Sequence, residues 1–286
     1  MRENALPVQQ KMPFKLTLCV CFAVLFSALV LPVQAQENRE PPPTLEELRA
    51  KKLDSSFTQV GDGLPIDIRR EAVKEAALSY GARGGLAYRT YYIRQELEGY
   101  ASQLDRIYDF RQLLIEAPSG LLIEPPVVSE ALDAMIIEND GQTAAVSDAI
   151  FNINRNARFT STARSWRQYL EREWGEITNP PAILLPKTPD EVLVWRELVT
   201  KGWKEGFEQA DDIFQQDLNR LNADFEGMVR YRKLLAYNMI TPPYANLVNR
   251  GVTGGGDEMR VGDRAVEITG KPALIPGAER WNPVSR

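Results

Sequence analysis

The chain has 286 residues, of which 44% are hydrophobic and 26% are charged, and its net charge of −5 disfavours direct nucleic-acid binding across a broad surface. It contains no histidine, and both cysteines, Cys19 and Cys21, lie in an apolar N-terminal segment. Without that segment the composition excludes disulfides, cysteine or serine–histidine nucleophiles, a histidine general base and ordinary zinc or copper sites. Only carboxylates, lysine, tyrosine, serine and threonine remain for catalysis, and nothing in the sequence gathers them, so we expect no cofactor, no metal and no enzymatic activity.

Residues 1–35 have the organisation of a secretory signal peptide. Three basic residues accompany an apolar run at 16–31, and small residues at the −3 and −1 positions predict cleavage between Ala35 and Gln36. An uncleaved membrane anchor is the alternative, although the run is shorter than the roughly 20 residues of a full span. Neither cysteine follows a small residue, so we find no convincing lipobox. We expect a periplasmic protein whose net charge, after loss of three basic residues and one acidic residue, is −7.

Residues 36–65 are predicted to form a flexible linker. The three prolines at 41–43 favour an extended backbone. Thr44 and Glu47 have the spacing of a capping box, which predicts a short helix ending at about Leu53. A tether between a membrane and the folded part fits this segment, and so does an ordinary flexible N-terminus.

The next segment is predicted to contain two helices. Residues 67–80 have a helical pattern that Gly81 is expected to stop. Three glycines within residues 81–85 predict a tight corner, because they lack the GxGxxG spacing of a phosphate-binding loop. The second helix is predicted over about 86–114. Its five tyrosines fit amphipathic packing with each hydroxyl at the protein edge, or a partner-binding face.

Two hairpins are predicted on either side of the longest helix. Residues 143–146 and 149–153 are expected to pair through a two-residue turn at Ser147-Asp148. Residues 146–153 and 261–268 share valine, aspartate and a final isoleucine in register, which predicts a second hairpin of the same design. We expect both hairpins to join one small antiparallel sheet.

A helix of about 50 residues is predicted from Thr188 to about Met239, after a short helix that begins at Ser165 and ends near Gly175. Thr188 is a favourable N-cap residue, and Pro189 suits the first helical position. Apolar or small residues then recur every three or four positions with no interior proline. An unbroken helix of this length would extend roughly 75 Å at ~1.5 Å per residue.

Gly202, Gly206 and Ala210 are spaced four residues apart on one face of this helix. Small residues at this spacing let another backbone approach closely, and each internal glycine costs about 1 kcal/mol of helix propensity. Two interpretations stay open, a helix crossing within the chain or a contact between subunits.

Together these elements predict an α+β fold that is mainly helical, with one very long helix and a small antiparallel sheet built from two hairpins. Residues 66–270 are expected to form a single domain. Residues 271–286 are rich in proline and glycine and are predicted to be an irregular tail.

Several short segments, spread over roughly residues 67–270, occur together in a distinctive order. They are 77–86 (ALSYGARGGL), 107–114 (IYDFRQLL), 125–131 (PPVVSEA), 157–159 (ARF), 166–170 (WRQYL), 195–210, 227–232 (GMVRYR) and 251–261. In number and order these segments resemble the DotC family of Dot/Icm-type (type IVB) secretion and related plasmid conjugation systems. None of them is a catalytic motif.

The resemblance implies a non-enzymatic structural subunit of an outer-membrane core complex. Such a subunit works with DotD-like and DotH-like proteins in a ring-shaped, multi-copy assembly, and it helps to place the DotH-like protein at the outer membrane. Members of the family are typically lipoproteins, and this sequence departs from them because it lacks a lipobox cysteine. A lipidated partner is then expected to hold it at the membrane.

Two other classes of protein remain as alternatives. A periplasmic cell-wall hydrolase would need a pair of carboxylates, and Asp211 and Asp212 are the adjacent pair in the long helix. Neighbouring residues on a helix point about 100° apart, so these two cannot flank one bond. A soluble ligand-binding protein is the other alternative, although no cluster of arginine or aromatic residues marks a pocket in the sequence.

Overall fold

The computed structural model describes residues 41–52, 65–117, 120–138 and 143–281, all within one compact unit, Pro41–Arg286. The predicted signal peptide, with Ala35 and Gln36, lies outside the described residues, as does most of the predicted linker. The α+β fold class predicted from the sequence is confirmed. No described helix is both long enough and apolar enough to span a membrane.

Five α-helices and seven strands make up the described part of the chain. The helices are α1 (Leu45–Arg49), α2 (Ile66–Gly99), α3 (Ala101–Ile107), α4 (Arg167–Leu170) and α5 (Pro189–Ala236). The strands are β1 (Ile115–Glu116), β2 (Leu122–Glu124), β3 (Val127–Glu138), β4 (Thr143–Arg155), β5 (Arg158–Thr160), β6 (Tyr244–Gly255) and β7 (Glu258–Gly270).

Helix α5 confirms the predicted long helix and its N-terminus. The Thr188 hydroxyl accepts a hydrogen bond from the Glu191 backbone N–H, and the Glu191 carboxylate accepts one from the Thr188 N–H. This capping box satisfies two backbone donors that have no partner within the helix. A similar box between Thr44 and Glu47 begins α1, as predicted.

The predicted corner at residues 81–85 is wrong, because these glycines lie inside the continuous helix α2. The predicted second helix over 86–114 is also wrong at its C-terminal end. Helix α2 ends at Gly99, and α3 and a 3₁₀ turn at Phe110–Leu113 follow it. Glycine lowers helix propensity but does not forbid a helix, and packing against a second helix compensates for the loss.

The strands form three separate antiparallel sheets. β1, β2 and β5 make a small three-stranded sheet, while β3–β4 and β6–β7 are two-stranded ribbons. The predicted turn at Ser147-Asp148 is wrong, because Ser147 lies within β4 and pairs with Ala134. Residues 261–268 likewise lie within β7. The two ribbons do not share a sheet, so the predicted single sheet is wrong too.

The core consists of three apolar clusters placed in succession along α5. The first packs Trp195 and Val199 against α1 and α2, and the Trp195 indole N–H donates to the Leu48 carbonyl oxygen at 3.2 Å. The second includes Leu221 and Met228. The third includes Tyr231 and Leu234, near the root of β3. All three clusters therefore include residues of helix α5, and the other elements pack against it at successive points along its length.

Candidate functional site

The predicted small-residue face lies where α5 meets α2 of the same chain. A Cβ added at Gly202 would overlap the Leu78 carbonyl oxygen, and one added at Gly206 would overlap the Ala82 carbonyl oxygen. Ala210 is buried one turn further along α5. The face is thus covered by backbone at its two glycines.

Helix α2 contributes matching glycines to the same crossing. A Cβ at Gly81 would overlap the Val199 carbonyl oxygen, and one at Gly85 would overlap the Trp203 carbonyl oxygen. Leu78 of α2 faces Gly202, and Ala82, four residues later, faces Gly206. Residue numbers therefore increase in the same direction along both helices, so α2 and α5 are parallel. Each glycine lets the facing backbone come closer than a Cβ would allow, which explains why four glycines are tolerated in helix interiors.

The carboxylates of α5 singled out in the sequence do not converge on a common point. Asp211 accepts a hydrogen bond of 2.6 Å from the Arg89 guanidinium on α2, whereas Asp212 is exposed. Within the described ranges, no group of three or more acidic, histidine or cysteine side chains could hold a metal ion. The ion pair between Asp211 and Arg89 therefore stabilises the contact between α5 and α2.

The tyrosines of α2 form an aromatic cluster beside the crossing. Tyr88 lies 4.6 Å from Tyr92 and 5.1 Å from Trp203, measured between ring centroids. Tyr91 lies 5.2 Å from Trp174 in an edge-on arrangement. Aromatic pairs at such distances add roughly 0.5–1.5 kcal/mol beyond the area they bury, so the contact between Tyr88 and Trp203 stabilises the helix pair.

A group of arginines around two buried carboxylates joins the three-stranded sheet to α5. Glu124, at the end of β2, is only 2% exposed. The Arg164 guanidinium donates to Glu124 Oε2 at 2.9 Å and to Asp224 Oδ2 at 2.7 Å. Arg155 Nη2 lies 3.1 Å from Asp224 Oδ2, and Arg158 Nη2 donates to Glu124 Oε2 at 3.2 Å. These five residues are called the arginine–carboxylate cluster below.

Protonation in the cluster follows from its burial and its hydrogen bonds. Burial raises the pKa of Asp224, but the hydrogen bond from Tyr169 and the charge of Arg155 outweigh it, so that pKa lies below its usual value. Burial lowers the pKa of Arg164, but its hydrogen bonds with Tyr169 and Glu124 outweigh that effect and raise it. Burial also raises the pKa of Tyr169. Arg164 and Asp224 are therefore charged and Tyr169 is neutral at pH 7.

Sequence reasoning missed this cluster, and the interpretation that no arginine cluster marks a pocket is wrong. A signal was present, because Arg155, Arg158, Arg164 and Arg167 follow one another without an intervening carboxylate. In a basic run with no carboxylate between its members, acidic partners that do form come from other parts of the chain. Here they come from β2 and α5.

Both ribbons expose apolar side chains. In β6–β7, Val252 and Val261 form a cross-strand pair, and Val261 is 73% exposed. In β3–β4, Met135 and Val146 form a similar pair, and Val146 is 71% exposed. Ribbon β6–β7 packs extensively on none of the other described elements. The ribbons therefore present apolar surface that the described part of the chain leaves uncovered.

Comparison with known protein families shows which family the chain belongs to. Residues 67–283 match the type IV secretory system TraI family, described as acting in conjugal DNA–protein transfer. The chain belongs to this family. No curated protein matches the chain.

The match to the conjugal-transfer family includes the main features of the candidate site. It begins in α2 and extends beyond β7, so it includes the glycine crossing, the arginine–carboxylate cluster and both ribbons. Helix α1, which accepts the Trp195 hydrogen bond, precedes the matched region. The type IV secretion family therefore covers residues 67–283.

Proposed function

We propose that the chain is a non-enzymatic structural subunit of the outer-membrane core complex of a type IVB secretion or conjugation system. In that role it helps to place a DotH-like channel component at the outer membrane, together with a DotD-like protein, in a ring-shaped assembly of many copies. Membership of the conjugal-transfer family supports the type IV setting. The resemblance of residues 67–270 to the DotC family supports the position within the complex.

The observation that carries the proposal is the pair of ribbons with exposed valine and methionine side chains. An isolated two-stranded ribbon is marginally stable in water, and its unpaired edges are templates for another strand. Ribbon β6–β7 extends over 12 residues in one strand and 13 in the other, yet none of its side chains is fully buried. Protein partners that cover the ribbons would bury this apolar surface and pair the edges.

The arrangement of the charged residues supports a structural role. The carboxylates of the cluster are bonded to arginines, and Asp211 is bonded to Arg89. A glycosidase instead needs two carboxyl groups that face each other across one substrate bond, with one of them protonated. Ion pairs that join distant elements of the chain stabilise the fold, which suits a structural role better than a catalytic one.

Affinity purification of the C-terminally tagged protein from gently solubilised envelopes tests the proposal. We expect mass spectrometry to find DotD-like and DotH-like proteins, and negative-stain images to show a large ring. A soluble monomer alone, from cells that express the whole secretion system, would contradict the proposal.

A pair of matched variants tests the ribbons directly. Val261→Arg introduces a charge at an exposed ribbon position, and we expect it to abolish co-purification of the partners. Leu193→Arg makes the same change at a 65%-exposed position on α5 and should leave the partners bound. Equal recovery of partners with both variants would show that this ribbon does not contact them.

A further inference from the structure

A polar cavity of about 330 Å³ lies beside the arginine–carboxylate cluster, within the size range of small-ligand sites. The cavity is lined mainly by side chains that donate hydrogen bonds. We call it the arginine pocket, and its lining includes Arg155, Arg158, Arg164, Arg220, Thr162 and Gln168.

The pocket has more positive charge than its carboxylates can balance. Four arginines line it, and two carboxylates, Glu124 on its wall and the neighbouring Asp224, form ion pairs with three of them. Two positive charges are therefore in excess, on a protein whose overall charge is negative. A cationic cleft with low-dielectric walls concentrates anions even when the net charge of the protein repels them.

Several donors at the mouth of the pocket have no other hydrogen bond among the described residues. The Arg220 guanidinium stacks on the Tyr169 ring, 5.8 Å from its centroid, and forms no ion pair there. The side chains of Thr162 and Gln168 are exposed and likewise make no hydrogen bond in this part of the chain. Arg158 uses its Nε and Nη2 atoms on Glu124, which leaves Nη1 to donate outward.

The buried carboxylates fix the positions of three arginines in the pocket lining, Arg155, Arg158 and Arg164. Arg164 is held on both Glu124 and Asp224, and Arg155 lies against the same pair. An arginine fixed in this way loses little side-chain entropy when it binds a ligand. Planar guanidinium groups donate two parallel hydrogen bonds to phosphate or carboxylate oxygens, so the geometry favours an oxyanion.

We propose that the arginine pocket is a binding site for a phosphate group, either as the free ion or as a phosphate monoester. A phosphate monoester carries close to two negative charges at pH 7, which equals the excess positive charge of the pocket. In this proposal the phosphate oxygens accept hydrogen bonds from Arg158 and Arg220 at the mouth of the pocket and from the Thr162 hydroxyl beside them. The proposal does not depend on the secretion role.

Isothermal titration calorimetry of the purified protein with inorganic phosphate at low salt tests the site. We expect saturable binding, and we expect Arg220→Gln to weaken it by about tenfold or more, because it removes a charge-assisted contact. Arg250→Gln removes one exposed positive charge from ribbon β6–β7 and should leave phosphate affinity unchanged. Matching urea-unfolding midpoints would show that both variants are folded.

A flotation assay separates the two sources of phosphate. Vesicles that contain phosphatidic acid present a phosphate monoester at a membrane, and neutral phosphatidylcholine vesicles are the control. Flotation with phosphatidic acid that Arg220→Gln abolishes would assign a lipid headgroup, and calorimetric binding without flotation would assign the free ion. The proposal is overturned by the absence of phosphate heat up to about 10 mM, or by equal affinities of the Arg220→Gln and Arg250→Gln variants.

Discussion

The glycine crossing between α2 and α5 makes a clear prediction about stability. Replacing Gly206 by alanine would place a Cβ on top of the Ala82 carbonyl oxygen. The obstacle is backbone in the middle of a helix, so no side chain can rotate away. The two helices would have to separate, and the neighbouring contact at Gly202 resists that movement.

Two opposing effects decide the size of the change. Alanine improves intrinsic helix propensity over glycine by about 1 kcal/mol. Overpacking a tight interior costs typically 1–3 kcal/mol, and a backbone obstacle puts Gly206→Ala at or above the upper limit. The free energy of unfolding should therefore fall by about 2 kcal/mol or more. At roughly 2–4 °C per kcal/mol for a domain of this size, Tm should fall by about 4–8 °C.

Gly99→Ala is the matched control for this experiment. Gly99 is the last residue of α2, and a Cβ there would meet no atom within 4 Å. This variant should be neutral or slightly stabilised, by up to about 1 kcal/mol. Urea and thermal unfolding followed by circular dichroism measure both variants. If Gly206→Ala proved as stable as Gly99→Ala, the helices would not be in backbone contact, and the explanation of the four glycines would fail.

Three further predictions concern buried polar groups. Glu124→Gln should lower the free energy of unfolding by up to about 3 kcal/mol, because it removes a buried counter-charge from Arg164, whose side chain is only 13% exposed. Glu258→Gln in an exposed ion pair should change it by less than about 1 kcal/mol in urea unfolding. The depressed pKa of Asp224 contributes stability that is fully present above its unfolded pKa of about 3.9 and is lost as pH falls through the folded value. In acid titrations of urea unfolding, the free energy of unfolding of Asp224→Asn should therefore depend less on pH in that range than that of the wild type. Burial raises the pKa of Tyr231 to about 12, and its hydroxyl has no hydrogen-bond partner among the described residues. Tyr231→Phe should therefore raise the free energy of unfolding by about 1 kcal/mol, and a clear loss in thermal unfolding would reveal a hydrogen bond to the hydroxyl.

The long helix could be predicted from the sequence because local signals agree with one another. Thr188, Pro189 and Glu191 specify the N-terminus through contacts within one turn. The apolar repeat then matches the residues that are buried on one face of α5. Each of these signals involves residues close together in sequence, so tertiary structure is not needed to interpret them.

The continuity of α2 could not be predicted in the same way. Gly81 and Gly85 read locally as helix breakers, since each costs about 1 kcal/mol relative to alanine. Their compensation comes from Val199 and Trp203, which are distant in sequence. The glycine spacing of four on both helices was a usable signal, because Gly202 and Gly206 repeat it and helices with matching gaps can pack closely.

The strands were misjudged because turn chemistry was assigned to the wrong residues. Ser147-Asp148 resembles a tight turn, yet Ser147 pairs with Ala134 within a long ribbon. The turn of the second ribbon lies between Gly255 and Glu258, where Gly256 has a positive φ angle of 64°. Glycine adopts such angles without strain, so its position was the better guide to that turn.

The arginine–carboxylate cluster explains how one end of ribbon β3–β4 is held while the other end stays exposed. Arg155 ends β4 and lies beside Asp224 of α5, and Glu124 precedes β3. At the N-terminal end of β3, a Cβ at Gly227 would meet Val127 and Val128, so the ribbon packs directly against helix α5 there. Distal residues such as Val146 have no such support. The fold thus anchors the ribbon through buried charge and close packing at its root, and it leaves the distal apolar surface available for a partner.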